Sequence, residues 1–200
     1  DDKPVGAINT GQYWHSDLSY NARPTFASML HAKELPSRGG ETLFASMVRA
    51  YETLGEDLKA KIDGRRAIHD YMLAFETVFA ANPDRSLSAD QQAQVPPVEH
   101  PLVRRHPLSG RKALYFGNQV SIGIVGWSAD KGQKFIRELT AQACAPAFRF
   151  RHKWQVGDAV LWDNRRVLHA GTAYDMVKYQ RLLHRVTFRE TEPVVQLAEN

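Results

Sequence analysis

The sequence predicts a mainly β fold with flanking helices, arranged as a jelly roll or double-stranded β-helix. Three observations lead there. Apolar and polar residues alternate with period two along 25–32, Thr42–Ser46, 112–116, 148–153, Ala159–Asp163 and 181–189, as half-buried strands require. Gly, Pro and an Asp-Asn pair punctuate the intervals. Helical spacing is confined to two stretches, which suits short strands covered by a few helices.

The opening residues, from Asp1 through Gly6 to Gly11, are turn-rich with no strand or helix before them, so part of an N-terminal segment is expected to be missing. After the first two strand runs, Met47, Ala50, Tyr51, Leu54, Leu58 and Ile62 recur at helical spacing, with Ser46 as cap, Gly64 as stop and Gly55 weakening the middle. A second helix runs from a cap at Ser128 through Phe135, Ile136 and Leu139 to about Cys144, before Pro146. Between Tyr71 and Pro97 the pattern fades into Asn82-Pro83-Asp84 and Pro96-Pro97. A stretch of that length reads as an active-site lid or a mobile surface loop.

A chain of 200 residues, 43% hydrophobic and 24% charged, has the composition of one folded domain, 1–200. Its net charge of +4, from 26 Lys and Arg against 22 Asp and Glu, is mild and interspersed. This argues against nucleic acid and for small anionic ligands. Cys144 is the single cysteine, which excludes an intrachain disulfide and fits a reducing cytoplasm; it is expected to be buried. No apolar run is long enough to span a membrane. Homo-oligomerisation is left open.

The run WHSD places His15 and Asp17 two apart, so on a strand both side chains would leave one face and could grip one ion. By itself that pair is more often an ordinary polar strand face. The run WDNRRVLHAGT adds His169, beyond an apolar strand and a tight Asp163-Asn164 turn. Two imidazoles and one carboxylate on one face of a metal leave adjacent positions open, the pattern of non-haem Fe(II) oxygenases. Zinc accepts the same donors, so a zinc hydrolase is a rival.

In RLLHRVTFR, alternation puts Arg181, Leu183, Arg185, Thr187 and Arg189 on one face and Leu182, His184, Val186 and Phe188 on the other, the second set being expected in the core. Arg181 and Arg185 closely follow His169, and a hairpin would bring them beside it. An arginine fork holds a carboxylate bidentately, which suits a 2-oxoacid co-substrate with a distal carboxylate better than zinc hydrolysis. The Gly39-Gly40-Glu41-Thr42 turn offers the Thr42 hydroxyl, with plain hairpin chemistry as the competing explanation.

WHSD, GGETLFASM, HPLVRRHPLSGRKALYF, WDNRRVLH and QRLLHRVTF occur in the order of one known family, and over nearly the whole chain the sequence resembles the taurine and 2,4-dichlorophenoxyacetate dioxygenases that use Fe(II) and 2-oxoglutarate. The resemblance implies His15, Asp17 and His169 as iron ligands, catalytic with O2, and Thr42 and Arg181 as contacts to 2-oxoglutarate. It implies Arg185 as the contact to the acidic end of the primary substrate. Two departures stand out: the family's N-terminal segment before the metal motif, and a slightly long turn from His169 to Arg181.

With iron and Arg181 balancing Asp17 and the 2-oxoglutarate dianion, Arg185 is in excess, and a small anionic substrate is expected to meet it. The HPLSGRKALYF and GIVGW runs are nearer to the aryloxyalkanoate enzymes, and LLHR nearer to the taurine enzymes. The reading is therefore an oxygenase acting on an aryloxyalkanoate or similar acid by ether cleavage, with taurine or an alkylsulfonate as alternative. The rival of another class is a non-catalytic anion-binding β-helix protein. His31, His69, His100, His106, His152 and His184 are read as surface or core residues. Trp14, Trp154 and Trp162 are read as core braces, Trp127 as a weaker candidate for a pocket wall, and Arg104, Arg105, Arg111 and Lys112 as solvated flanks of a hairpin turn.

Overall fold

The alternating stretches fold into strands, joined by others too short to show a period. The computed structural model describes residues 11–79, 86–118 and 120–191. In order they form β1 (Thr25–Glu34), β2 (Thr42–Ser46), α1 (Met47–Glu52), α2 (Glu56–Ile62), β3 (Arg66–His69), α3 (Tyr71–Phe79) and α4 (Ala89–Ala93). There follow β4 (Val98–Pro101), β5 (Val103–Arg105), β6 (Lys112–Leu114), β7 (Ser121–Ile124) and α5 (Ala129–Ala143). After a 3-10 turn at Pro146–Phe148 come β8 (Arg149–His152), β9 (Ala159–Asp163), β10 (Val167–Gly171) and β11 (Leu182–Arg189).

Two antiparallel three-stranded sheets build the site: β11-β1-β9 and β10-β2-β8. Their inner faces meet where Trp162 of β9 lies 5.4 Å from the Phe44 ring of β2 and 4.8 Å from the His169 ring of β10. A third sheet, β4-β3-β7, packs against α5 through β7, and the β5-β6 hairpin packs against α1 through β6. The α5 positions Phe135, Ile136, Leu139 and Ala143 form the stripe that a helix turns toward a core. They join Met47, Ile62, Leu114, Phe116 and Leu168 in one buried cluster.

The first helix is not continuous. Gly55 caps α2 with extended backbone (φ −64°, ψ 152°), so the chain breaks between α1 and α2 where the glycine had only weakened the pattern. Ser46 caps α1 through its hydroxyl, which accepts from the Arg49 amide at 3.3 Å. Within 71–97 the chain forms α3 and α4, the latter closed by a Ser88–Gln91 capping box, while 80–85 lie outside the described residues. The expectation about the opening residues concerns 1–10, which also lie outside them.

Three further expectations are corrected. The Leu182, Val186 and Phe188 face of β11 is exposed, not core: it is the outer side of its sheet and continues into exposed Leu161 of β9, opposite Met29. No hairpin joins β10 to β11, because they belong to different sheets. Arg104 is not a solvated turn flank. It pairs with Glu190 at 3.1 Å and lies 4.4 Å above the Tyr115 ring. Arg111, by contrast, is an exposed flank, paired bidentately with Glu52.

Cys144 is buried and free, and burial pushes its thiol up to about 12, so it is an inert packing residue. Trp127 packs edge-on against Phe135 as part of the core cluster rather than in the cavity described below. Among the described residues no helix is long and apolar enough to cross a membrane.

Candidate active site

His15 and Asp17 do share a site, but not by strand parity. His15 forms one isolated bridge to His169, with backbone amides donating both ways at 3.0 and 2.9 Å. Asp17 begins a turn in which Leu18 takes φ 51°. His169 lies beyond β9 and the Asp163-Asn164 turn as expected, inside β10 and paired with Phe44 of β2. The bridge holds the two imidazole rings 4.2 Å apart, and the turn brings the Asp17 carboxylate beside both.

The distances suit a single ion. Asp17 Oδ1 is 3.9 Å from His15 Nε2, and Asp17 Oδ2 is 3.7 Å from His169 Nε2. Donor atoms of all three lie within 4.8 Å of one another, and among the described residues this is the group of His, Cys, Asp and Glu able to hold a metal. His15 Nδ1 donates to the Tyr13 carbonyl at 2.7 Å, which leaves the Nε2 lone pair for an ion.

Burial and the His15 ring push the pKa of His169 well down against the pull of Asp17, so His169 is neutral and ready to ligate. Burial works to raise the Asp17 carboxyl, but His169, His15, the Ser28 hydroxyl and Arg185 outweigh it and hold it below the usual carboxylate range. A carboxylate beside a neutral His169 and the free Nε2 of His15 offers a donor set that a divalent transition metal takes. The fit of the residues to such an ion is therefore good.

A cavity of about 260 Å³ opens over this cluster. Its lining brings together every singled-out residue: His15, Asp17, Thr42, His169, Arg181 and Arg185. Thr42, at the start of β2, is buried, and its oxygen accepts from Trp154 Nε1 at 3.0 Å, leaving the hydroxyl proton to donate into the cavity. Arg181 immediately precedes β11. Its Nε donates to the Gly40 carbonyl at 2.9 Å, and among the described residues no carboxylate pairs with it.

The Gly39-Gly40 turn is needed for that placement. Both residues have positive φ (75° and 71°), and a Cβ on Gly40 would meet Pro36 at 2.9 Å and the Arg181 stem at 3.1 Å. Arg185, the cation in excess, was expected to meet an anionic substrate. It is 59% exposed, on an edge strand of its sheet, and lies 3.9 Å from Asp17 Oδ1.

Several contributors went unnoticed in the sequence. Ser28 Oγ donates to Asp17 Oδ2 at 2.5 Å, and the buried Asn164 amide reaches both Ser28 and Trp162. Trp154 orients Thr42 rather than bracing the core, while Trp162 lines the cavity as well as packing. Leu30, Tyr174 and Met176 complete the lining. Leu30 was accessible by register, since it sits opposite Arg185. The other histidines stay apart: His106 donates to Asp163 at 2.9 Å, His152 pairs with Asp158 at 3.1 Å, and His69 and His100 are buried against Tyr115.

Fold and cluster together define a mainly β protein with a two-histidine, one-carboxylate site under an arginine-bearing cavity. Residues 1–187 match the model of the family described as taurine catabolism dioxygenase TauD, TfdA. The chain belongs to that family.

It is 43% identical over 176 residues to an alpha-ketoglutarate-dependent 2,4-dichlorophenoxyacetate dioxygenase of Burkholderia sp. (strain RASC), covering 88% of this chain and 57% of the relative. It is 36% identical to the (S)-phenoxypropionate/alpha-ketoglutarate-dioxygenase of Sphingobium herbicidovorans, covering 86% and 60%. Among solved structures it is similar to AAD-2 in complex with Mn(II) and N-oxalylglycine, with TM-score 0.86 and 32% identity over 98% of this chain and 76% of that one. The chain thus spans less than two thirds of the length of these two curated relatives.

Proposed function

We propose that this chain is the catalytic domain of an Fe(II)- and 2-oxoglutarate-dependent dioxygenase that hydroxylates a small anionic substrate, an aryloxyalkanoate or similar carboxylic acid. The observation that carries the reading is the single cavity on which the ligand cluster, Thr42, Arg181 and Arg185 converge. The two sheets that meet at Trp162, Phe44 and His169 support a double-stranded β-helix as its frame. One domain, with 71–97 as an active-site lid or a surface loop, and a cytoplasmic location complete the proposal.

In this reading His15, Asp17 and His169 hold the iron, which supplies activation of O2 coupled to decarboxylation of 2-oxoglutarate, one oxygen atom going to succinate and the other to a substrate C–H bond. The protein's own share is placement. Arg181 offers its guanidinium to the distal carboxylate of 2-oxoglutarate, and Thr42 donates its hydroxyl proton to the same group. Leu30, Trp162 and Met176 give the cavity apolar walls that limit water. Arg185, on the open side of Asp17, is available to the acid group of the substrate. Hydroxylation next to an ether oxygen gives a hemiacetal, which collapses to an alcohol or phenol and an oxoacid.

The test is succinate formation from 2-oxoglutarate with Fe(II), ascorbate and O2, measured with a phenoxyalkanoate, taurine and a neutral ether. Substrate-dependent succinate release with the phenoxyalkanoate supports the reading, and none with any acid refutes it. Alkylsulfonates are the second reading, favoured by the LLHR run at 182–185.

A further inference from the structure

A relay of buried polar groups runs from the β9–β10 turn to the Asp17 carboxylate, and its hydrogen-bond direction is fixed. Asn164 Oδ1 accepts from Trp162 Nε1 at 3.0 Å and from the Asp17 amide at 3.3 Å. An indole nitrogen only donates, so the Asn164 amide can face one way only, with Nδ2 toward Ser28. Nδ2 donates to Ser28 Oγ at 2.9 Å, and the Ser28 proton is thereby directed to Asp17 Oδ2 at 2.5 Å. The Asn164 carbonyl also accepts from Ser16 Oγ at 3.1 Å, and the Asn164 amide donates to Phe26. Ser28 is fully buried and Asn164 nearly so, which keeps water from substituting for either.

Resting on the reading of His15, Asp17 and His169 as metal ligands, we propose that Ser28 and Asn164 are positioning residues that set the orientation of the Asp17 carboxylate toward the metal. By engaging Oδ2 the relay pins the carboxylate plane and leaves Oδ1, 3.9 Å from His15 Nε2, as the oxygen unencumbered by a hydrogen-bond donor from the core. Without it the carboxylate turns about its Cβ–Cγ bond, and Arg185, equally 3.9 Å from Oδ1, competes for it. Asn164 lies on the turn that leads into the strand bearing His169, so one short segment sets two of the three ligands.

Two variants perturb the relay differently. Ser28→Ala removes the hydroxyl, whereas Asn164→Asp keeps the shape but replaces the Nδ2 donor by an acceptor, drawing the Ser28 proton away from Asp17. Mn(II) affinity is measured calorimetrically without 2-oxoglutarate, alongside the visible spectrum of the Co(II)-loaded protein and the melting temperature of the metal-free protein. Second-sphere changes of this kind weaken metal binding by about 10–100-fold. That loss is expected in both variants, with a changed Co(II) spectrum and a metal-free protein that still melts cooperatively.

Wild-type Mn(II) affinity and spectrum in both folded variants overturn the proposal. Failure of both to fold also overturns it, by assigning the relay to the framework. Asp17→Ala separates the two layers of inference. If it abolishes Mn(II) binding while the relay variants bind normally, only the positioning role fails. If wild type binds no Mn(II), or Asp17→Ala binds as wild type does, the ligand reading fails as well.

Discussion

Arg185 Nη1 lies 3.9 Å from Asp17 Oδ1, the same separation that Oδ1 keeps from His15 Nε2. A cation and a prospective metal ligand thus share one oxygen. An ion held in the cluster would compete with Arg185 for that oxygen and free the guanidinium for an anionic ligand.

Arg185→Gln is therefore expected to leave metal binding intact and to lower kcat/KM for acidic substrates by about 10–100-fold, the magnitude of a lost charged hydrogen bond of about 1.5–3 kcal/mol. A neutral analogue should change little. Equal losses on acids and neutral analogues would remove Arg185 from substrate recognition.

Arg181→Lys keeps the charge and loses the planar fork. Because Arg181 is mostly enclosed beside Gly40, its effect should be a raised KM for 2-oxoglutarate with a smaller change in the KM of the primary substrate. Titration of both co-substrates in steady state checks this. A change confined to the primary substrate contradicts it.

Leu168→Ala removes a fully buried side chain directly before His169, in the cluster that anchors β10. A loss of about 2–5 kcal/mol in stability is expected, measurable by urea unfolding of the metal-free protein. A loss under about 1 kcal/mol would mean that β10 is not anchored by this core.

His69 and His100 predict how stability varies with acid. Burial, with the charge of Arg104 and for His69 also the His100 ring, pushes His100 down to about 4 and His69 well below its usual value of 6.5. The unfolded chain then binds more protons than the folded one. Stability should fall as the pH drops from about 6.5 toward 4, by about 1.4 kcal/mol per pH unit for each such histidine. Thermal melts across that window should show a shallower slope for His100→Gln than for wild type, and parallel slopes would rule this cause out.

The long strands were legible because β1, β2, β9 and β11 alternate over enough residues to show a period. The short β6 and β8 showed because alternation runs past their ends, at 112–116 and 148–153, whereas β3, β4, β5, β7 and β10 have no such run around them. The triad was legible by residue type and order although the local reasoning erred: His15 and Asp17 meet through a bridge and a turn with one positive φ, and no spacing rule announces that. Which face of β11 is inner could be read from its arginines only by knowing that the cavity, not the core, lies on their side. Ser28 and Asn164 were invisible because a serine and an asparagine gain their roles from contacts across 11 and 136 positions.

The backbone bridge between His15 and His169 also bears on how the protein assembles. The bridge joins positions 154 apart, and Ser16 and Asn164 beside it are 148 apart, so the intervening residues must be collapsed before the cluster exists. Such closures carry a large entropic cost and are late events in folding. A partly folded chain thus keeps His169 away from His15 and Asp17, and the cluster of three does not exist in it. Once the two segments have met, an ion bound by the cluster would act as a clasp, adding stability in proportion to the logarithm of its free concentration over its dissociation constant.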